Sequence, residues 1–176
     1  MKKAIFVIDM QNDFIRGPFG TPEADKIVKP MVEYLKKFEG DIFLTKDYHT
    51  YNKNYNLKTI EEKLLPSHCE YGTYGEDIIP EIKNFLKKSK KTYEIIHKDS
   101  FGIYEYNWEK IQQYDEIEFC GVCTDICVIS NVCIVQSKNP FARLSVLENL
   151  CAGTDPYAHD CALEVMNSLL VKTRRA

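Results

Sequence analysis

Short apolar runs alternate with helical patterns along the whole chain, and this alternation constrains the fold more than any other feature of the sequence. Continuous apolar runs are typical of strands in a parallel sheet that is buried on both faces. Strands that alternate with helices predict a three-layer α/β/α domain. We therefore predict a mainly parallel sheet with five strands, at residues 3–9, 41–45, 92–97, 116–120 and 142–148.

The segments between these runs predict the helices. Thr21 has the side chain of a helix N-cap, and Pro22 suits the first helical position. Residues 169–172 are a candidate sixth strand at the edge of the sheet. A chain of 176 residues is typical of one domain, so we expect a single domain over residues 1–176. The predicted helices span residues 22–38, 76–88, 108–113, 124–135 and 159–168.

Composition and charge argue against several classes of protein. The net charge is −3, and no basic cluster suggests binding to nucleic acid. No apolar run approaches the roughly 20 residues that cross a bilayer, so we expect no membrane partner. The chain has seven cysteines, and Cys120, Cys123 and Cys127 crowd one turn. This distribution suits reduced thiols better than a disulfide framework and predicts a cytoplasmic protein.

Residues 115–128 combine a strand, a tight turn at Gly121 and the start of a helix. Cys127 lies in the first turn of that helix, where the dipole stabilises a thiolate and lowers the pKa of the thiol. We therefore predict that Cys127 is a nucleophile. The alternative is a small apolar residue that packs under the sheet. A zinc or redox pair at Cys120 and Cys123 is less favoured, because the chain has no second CxxC motif.

Polar residues follow several of the predicted strands and are expected to meet at one edge of the sheet. Asp9 and Lys98 are placed to take the proton of Cys127 and to stabilise its thiolate. The backbone N–H groups of Cys123 and Cys127 are candidates for an oxyanion hole. The alternatives are a structural Asp–Lys ion pair and an ordinary strand-to-helix turn.

A second group of residues has the chemistry of a metal site. Asp47 and His49 lie two residues apart in a loop, and His68 lies in a turn that follows Pro66. Either Glu61 or Glu62 is placed to join them. Mixed carboxylate and imidazole ligands suit zinc, iron or manganese. The alternative is a pair of surface histidines.

Six motifs in order resemble the isochorismatase-like cysteine hydrolases and, within them, the nicotinamidases. The resemblance implies an isochorismatase-like, Rossmann-like fold in which Asp9, Lys98 and Cys127 are catalytic. It also implies a cis peptide bond before Cys123. The motifs are AIFVIDMQNDF at 4–14, TKDYH at 45–49, LLPSHCEYGTYGEDIIPEI at 64–82, HKDSFG at 97–102, GVCTDICVISNV at 121–132 and CAGTDPYAHDCALEVM at 151–166.

The same resemblance implies an activity, a cofactor and partners. The activity is hydrolysis of nicotinamide to nicotinate and ammonia through a thioester on Cys127. Phe14 and Leu65 are expected to form apolar walls around this small carboxamide, and the chain is expected to form a homo-oligomer. The cofactor is one divalent metal, with zinc favoured over iron or manganese, held by Asp47, His49, Glu61 and His68.

The chain departs from the usual nicotinamidase pattern in two places. Many nicotinamidases have a further histidine after the Asp-x-His motif, where this chain has Tyr51, Asn54 and Tyr55. The segment after Lys98 is short and lacks the usual Tyr-Ser-x-Phe motif. These departures leave two alternatives open, a metal-free hydrolase or amidase that acts on another small substrate and a non-catalytic member of the fold.

Overall fold

A computed structural model describes residues 1–51 and 58–176, and its centre is one six-stranded sheet. The strand order is β3-β2-β1-β4-β5-β6, and all neighbouring strands are parallel. The prediction of a parallel α/β sheet is therefore confirmed, with six strands. They are β1 (Lys3–Ile8), β2 (Asp41–Asp47), β3 (Tyr93–Lys98), β4 (Glu116–Val122), β5 (Arg143–Ala152) and β6 (Lys172–Arg174).

Helices cover both faces of the sheet and complete the three layers. Helices α2 and α4 pack together on one face, and α5, α6 and α7 pack together on the other. A π-helical turn, Thr124–Val128, leads into α6. The helices are α1 (Asn12–Ile15), α2 (Pro22–Lys37), α3 (Ile60–Leu64), α4 (Pro80–Lys88), α5 (Glu109–Gln112), α6 (Ile129–Lys138) and α7 (Pro156–Ser168).

The core is built around β1, which has helices on both of its faces. Every residue from Ala4 to Ile8 is fully buried, as expected for a central parallel strand. Phe6 stacks on Phe43 of β2 and Phe119 of β4, with ring centroids 5.0 and 5.3 Å apart. These contacts fix β1 between its two neighbours and hold its carboxyl end in place.

Several element boundaries differ from the predictions, and neighbouring strands explain two of the differences. We predicted a loop from residue 46, but β2 continues to Asp47 because it pairs with β3 as far as Lys98. Similarly, β5 continues to Ala152, which pairs with Val122. The edge strand begins at Lys172, rather than at residue 169.

Helix boundaries also differ from the predictions, and proline explains two of them. The helix predicted from residue 76 begins at Pro80, since a proline suits the first turn and the N–H of Ile79 is donated instead to the Met10 carbonyl, 3.0 Å away. The last helix begins at Pro156 with Asp155 as its cap. The Thr21 cap of α2 is confirmed, because its hydroxyl accepts a hydrogen bond from the Ala24 N–H.

The strand order reverses between β1 and β4, which creates a crevice at their carboxyl ends. Open parallel sheets bind ligands at such a point. Asp9 follows β1 there. The tight turn predicted at Gly121 begins later, because Gly121 is still paired with Ile8 and Cys151 and β4 continues to Val122. The peptide bond between Val122 and Cys123 is cis, as the resemblance implied. No helix within residues 1–51 and 58–176 is long and apolar enough to cross a membrane.

Candidate active site

Asp9 lies at the end of β1 and is fully buried. Its backbone has φ 48°, in the left-handed region that residues other than glycine rarely adopt. The hydroxyl of Thr45, on β2, accepts a hydrogen bond from the Asp9 N–H at 3.0 Å and donates one to Asp9 Oδ1 at 2.5 Å. These two bonds fix the carboxylate, so that its other oxygen points into the crevice.

The Lys98 ammonium lies among the groups at the strand ends. Its Nζ is 2.8 Å from Asp9 Oδ2, 3.3 Å from Asp47 Oδ1 and 3.9 Å from Cys127 Sγ. Those two carboxylate oxygens are buried, and their ion pairs with the ammonium compensate their charge. The structure thus brings the three residues predicted to be catalytic into one place.

For both Lys98 and Asp9, burial and the neighbouring charges shift the pKa in opposite directions. Burial by itself lowers the pKa of Lys98, but Asp9, Cys127 and Asp47 outweigh it and hold that pKa well above its ordinary value. Burial raises the pKa of Asp9, although Lys98 opposes the shift. Lys98 is therefore a permanent cation, and Asp9 is a stronger proton acceptor than an exposed aspartate.

Cys127 is buried in the π-helical turn that follows β4. Our expectation of a lowered thiol pKa is not met. Burial raises the pKa of Cys127 well above its usual value, and a hydrogen bond with Asp9 adds to the rise, while Lys98 opposes it. The resting sulfur is therefore a thiol, and a base is needed to remove its proton.

The other two cysteines of this segment differ from Cys127. Cys120 is fully buried in β4, and its sulfur faces the Phe6 carbonyl at 3.7 Å. All seven cysteines of the chain are free thiols. The carbonyl of Cys123 accepts hydrogen bonds from the N–H groups of Ile126 and Val128. These two bonds form the turn. The N–H groups of Cys123 and Cys127, which we predicted to bind an oxyanion, take no part in them.

Four buried side chains next to Lys98 form a candidate metal centre. Asp47 Oδ2 is 3.1 Å from His49 Nε2 and 3.6 Å from His68 Nε2, and His49 Nε2 is 3.8 Å from Glu61 Oε2. One ligand atom from each of the four residues lies within 4.8 Å of the other three. Two carboxylates and two imidazoles in this arrangement fit one divalent transition metal.

The surroundings of the cluster also suit a cation. His68 Nδ1 is 2.8 Å from the Pro66 carbonyl, which requires the proton on Nδ1 and leaves the Nε2 lone pair facing Asp47. Burial and the nearby Asp47 raise the pKa of Glu61 to about 7. Burial by itself raises the pKa of Asp47, but Lys98 and both histidines outweigh it and lower that pKa.

The structure distinguishes between the two glutamates that the sequence left open. Glu61 faces the cluster. Glu62 instead accepts hydrogen bonds from the N–H groups of Tyr51 and Thr59, at 2.8 and 3.1 Å, and so completes the cap of α3. The part of the predicted loop at residues 52–57, including Asn54 and Tyr55, lies outside the described residues.

A cavity of about 400 Å³ opens beside Cys127 and the candidate metal centre, and it is large enough for a small ligand. Phe14 and Leu65, our predicted apolar walls, both line it. Three further apolar residues line the cavity and were not predicted from the sequence: Phe19, Phe101 and Ile126. The only available signal was the position of Phe19 in the glycine-rich segment after α1. Its ring meets His68 edge-on, with centroids 4.8 Å apart.

A larger depression, of about 740 Å³, lies elsewhere on the molecule. It contains the contact between Tyr34, Glu118 and Arg174, in which the Glu118 carboxylate accepts hydrogen bonds from both partners. None of the residues predicted to be catalytic or to bind the metal lines it. The smaller cavity is therefore the candidate active site.

Comparisons with known proteins agree with this architecture. Over 175 residues the chain is 27% identical to the isochorismatase family protein PncA of Bacillus subtilis, and the match covers 93% of each. It is 25% identical to the nicotinamidase/pyrazinamidase of Mycobacterium tuberculosis, with 97% of each chain covered. The crystal structure of Pyrococcus horikoshii pyrazinamidase in complex with zinc has a TM-score of 0.81 at 24% identity and covers 100% of both chains. The family model of the isochorismatase domain matches residues 3–175, and the chain therefore belongs to the isochorismatase family.

Proposed function

We propose that this protein is a metal-containing cysteine amidohydrolase that converts nicotinamide to nicotinate and ammonia. The observation that carries the proposal is the Lys98 ammonium, which lies within 3.9 Å of the Cys127 sulfur and within 3.3 Å of both Asp9 and Asp47. A thiol, its base and a metal-capable cluster thus share one crevice. The similarity to a nicotinamidase/pyrazinamidase supports the choice of substrate.

Proton transfer from Cys127 to Asp9 begins the proposed reaction. The pKa of Asp9 is raised by burial, so its carboxylate accepts the proton more readily than an exposed aspartate would. The thiolate then attacks the carboxamide carbon and forms a C–S bond. The N–H groups of Cys123 and Cys127 stabilise the oxyanion, and the fixed charge of Lys98 stabilises the anionic sulfur.

Collapse of the tetrahedral intermediate breaks the C–N bond. Asp9 returns its proton to the nitrogen, and ammonia leaves while the acyl group remains on Cys127 as a thioester. Water then attacks the thioester carbon as Asp9 takes the water proton. The C–S bond breaks, the sulfur recovers its proton from Asp9, and nicotinic acid leaves and loses its remaining proton to solvent as nicotinate. The same carboxylate thus serves as base and acid in both halves of the reaction.

Asp47, His49, Glu61 and His68 are the residues that would hold the metal, with zinc favoured and iron or manganese as alternatives. When bound, the metal supplies a Lewis acid that attracts the ring nitrogen of the substrate and helps to orient water. The zinc in the Pyrococcus horikoshii pyrazinamidase structure supports this choice.

Apolar side chains would hold the substrate ring. Phe14 and Leu65 line the cavity together with Phe19, and they would exclude water from the thioester. We further propose that residues 1–176 act as a single domain and form a homo-oligomer. The seven free thiols support a location in the cytoplasm.

Replacement of the nucleophile tests the proposal. In zinc-loaded protein, Cys127→Ala should lower the rate of ammonia release from nicotinamide by at least about a thousandfold, because it removes the thiol that lies beside Lys98 and Asp9. Cys133→Ala is the matched control, since this half-buried thiol lies on α6 away from the cavity. A Cys127→Ala rate close to that of Cys133→Ala would end the proposal.

A further inference from the structure

The segment between β3 and α5, residues 99–108, contributes one wall of the cavity. Phe101 lies in this segment and lines the cavity. The other aromatic walls, Phe14 and Phe19, each contact the ring of His68. Phe101 is 36% exposed and lies outside any helix or strand, so other contacts must define its position.

One side chain holds the backbone of Phe101 and of Ile103, two residues further along the chain. Asn131, on α6, is fully buried. Its Oδ1 accepts a hydrogen bond from the Ile103 N–H at 2.9 Å, and its Nδ2 donates one to the Phe101 carbonyl at 3.1 Å. The same Nδ2 donates a second bond to the Cys127 carbonyl at 2.7 Å. Asn131 therefore joins the cavity wall to the residue that carries the thiol.

Packing brings the segment directly onto α6. A Cβ added at Gly102 would lie 2.4 Å from Ile134 Cδ1, so only glycine allows this close approach without a shift of the neighbour. The Ser100 hydroxyl donates to the Gly102 carbonyl at 2.9 Å and closes the turn. Ile103 is buried, so its N–H loses its hydrogen-bonding partner in the protein if Asn131 is removed.

We propose that Asn131 is a positioning residue for substrate specificity, which acts by fixing the Phe101 wall relative to the Cys127 sulfur. This inference rests on the proposed nicotinamidase activity. The amide of Asn131 satisfies the buried N–H of Ile103, the buried carbonyl of Cys127 and the part-buried carbonyl of Phe101, and so joins the wall to the nucleophile turn. A wall that is held in this way selects a flat ring of one size, whereas a loose wall accepts the ring without orienting it.

A double-mutant cycle on nicotinamide hydrolysis tests this inference. Phe101→Ala removes the wall, and Asn131→Ala releases it. Each single variant should raise the KM about tenfold, which corresponds to about 1.4 kcal/mol, with kcat within about threefold of the wild type. Because both changes remove the same wall, the double variant should have a KM within about twofold of Phe101→Ala alone.

Two further variants keep the test decisive. Asn139→Ala is the matched control, because Asn139 is also buried and donates to the carbonyls of Ile111 and Tyr114 at the end of α5. Its KM should equal that of the wild type despite the loss of similar bonds. Gly102→Ala is a second control, because the added Cβ meets only the end of the flexible Ile134 side chain, which can move aside, so its KM should stay close to that of the wild type.

The outcomes separate this inference from the function on which it rests. Wild-type protein that does not hydrolyse nicotinamide would overturn both. If the wild type is active and the two KM increases multiply in the double variant, Asn131 does not act through Phe101 and only the present inference fails. An equal rise in KM in Asn139→Ala would likewise assign the effect to general destabilisation.

Discussion

At the scale of single residues, Lys98 is the group on which the site depends most. It is buried, and it compensates the charge of Asp9 and Asp47 at the same time. A buried ammonium with two carboxylate partners keeps its proton, so its charge acts on the Cys127 thiol throughout the reaction. The ion pairs therefore connect the nucleophile with the metal cluster.

Replacement of Lys98 by methionine should destabilise the protein strongly. Removal of one partner from a buried ion pair costs about 3–5 kcal/mol, because the remaining charge is left without compensation. Lys110→Met is the control, because the pair of Lys110 with Glu94 is exposed and contributes less than about 1 kcal/mol. Urea unfolding measures both free energies. An equal loss of unfolding free energy in the two variants would contradict the role assigned to Lys98.

Residue types and spacing suggested the candidate residues, and the family resemblance was needed to choose among the alternatives. Asp9, Lys98 and Cys127 come together because each lies at or just after the carboxyl end of a parallel strand, and strand ends can be recognised in a sequence. The walls Phe19 and Phe101 were missed because they lie in irregular segments, where side-chain direction follows no period. The raised pKa of Cys127 was also missed, since the cysteine was predicted at a helix start without its depth of burial.

At the scale of elements, the turn after β4 positions the nucleophile. Gly121 has φ 119°, and a Cβ at this position would lie 2.1 Å from the Ile8 carbonyl oxygen of β1. Only glycine lets the end of β4 approach β1 so closely. Since Asp9 follows Ile8, this contact also sets the separation between the base and the Cys127 turn.

Gly121→Ala should therefore cost more stability than an ordinary glycine substitution. A side chain in a left-handed conformation costs about 1–2 kcal/mol, and the contact with Ile8 forces a further backbone shift. Gly72→Ala is the matched control, because Gly72 has φ 79° but no atom within 4 Å of an added Cβ. Unfolding free energies in urea should fall further for Gly121→Ala. A smaller loss than in Gly72→Ala would contradict this account of the turn.

Elements were predicted well in type and less well at their ends. Caps with a local chemical signal, such as Thr21 before Pro22, could be predicted from the sequence. The additional residues of β2 and β5 could not be predicted in this way. They depend on pairing with β3 and β4, which are distant in the sequence. The π-helical turn at Thr124–Val128 could not be predicted either, because its sequence has no periodicity that distinguishes it from an α-helix.

At the scale of the whole molecule, strand order decides where the site forms. The reversal between β1 and β4 opens the crevice, and the ends of β2 and β3 supply Asp47 and Lys98 beside it. The metal cluster lies at the edge of this crevice and joins β2 to α3 and to the segment that carries His68. Metal binding should therefore stabilise the fold as a whole.

Zinc should raise the melting temperature of chelator-treated protein. At a zinc concentration about a thousandfold above Kd, binding adds about 4 kcal/mol. This corresponds to about 8–16 °C, since each 1 kcal/mol is worth about 2–4 °C in a domain of this size. Calorimetry of His68→Ala serves as the control and should show a smaller shift. Identical melting curves for wild-type protein with and without zinc would refute a metal centre in this cluster.

The most direct test of the central claim is the mass of the covalent intermediate. Zinc-loaded protein is mixed with nicotinamide, quenched in acid during turnover, digested and analysed by mass spectrometry. The account predicts one nicotinoyl group attached to the peptide that contains Cys127, localised to that sulfur by fragmentation, and no such adduct in Cys127→Ala. Steady release of ammonia without any adduct, or an adduct on Cys123 instead, would contradict it.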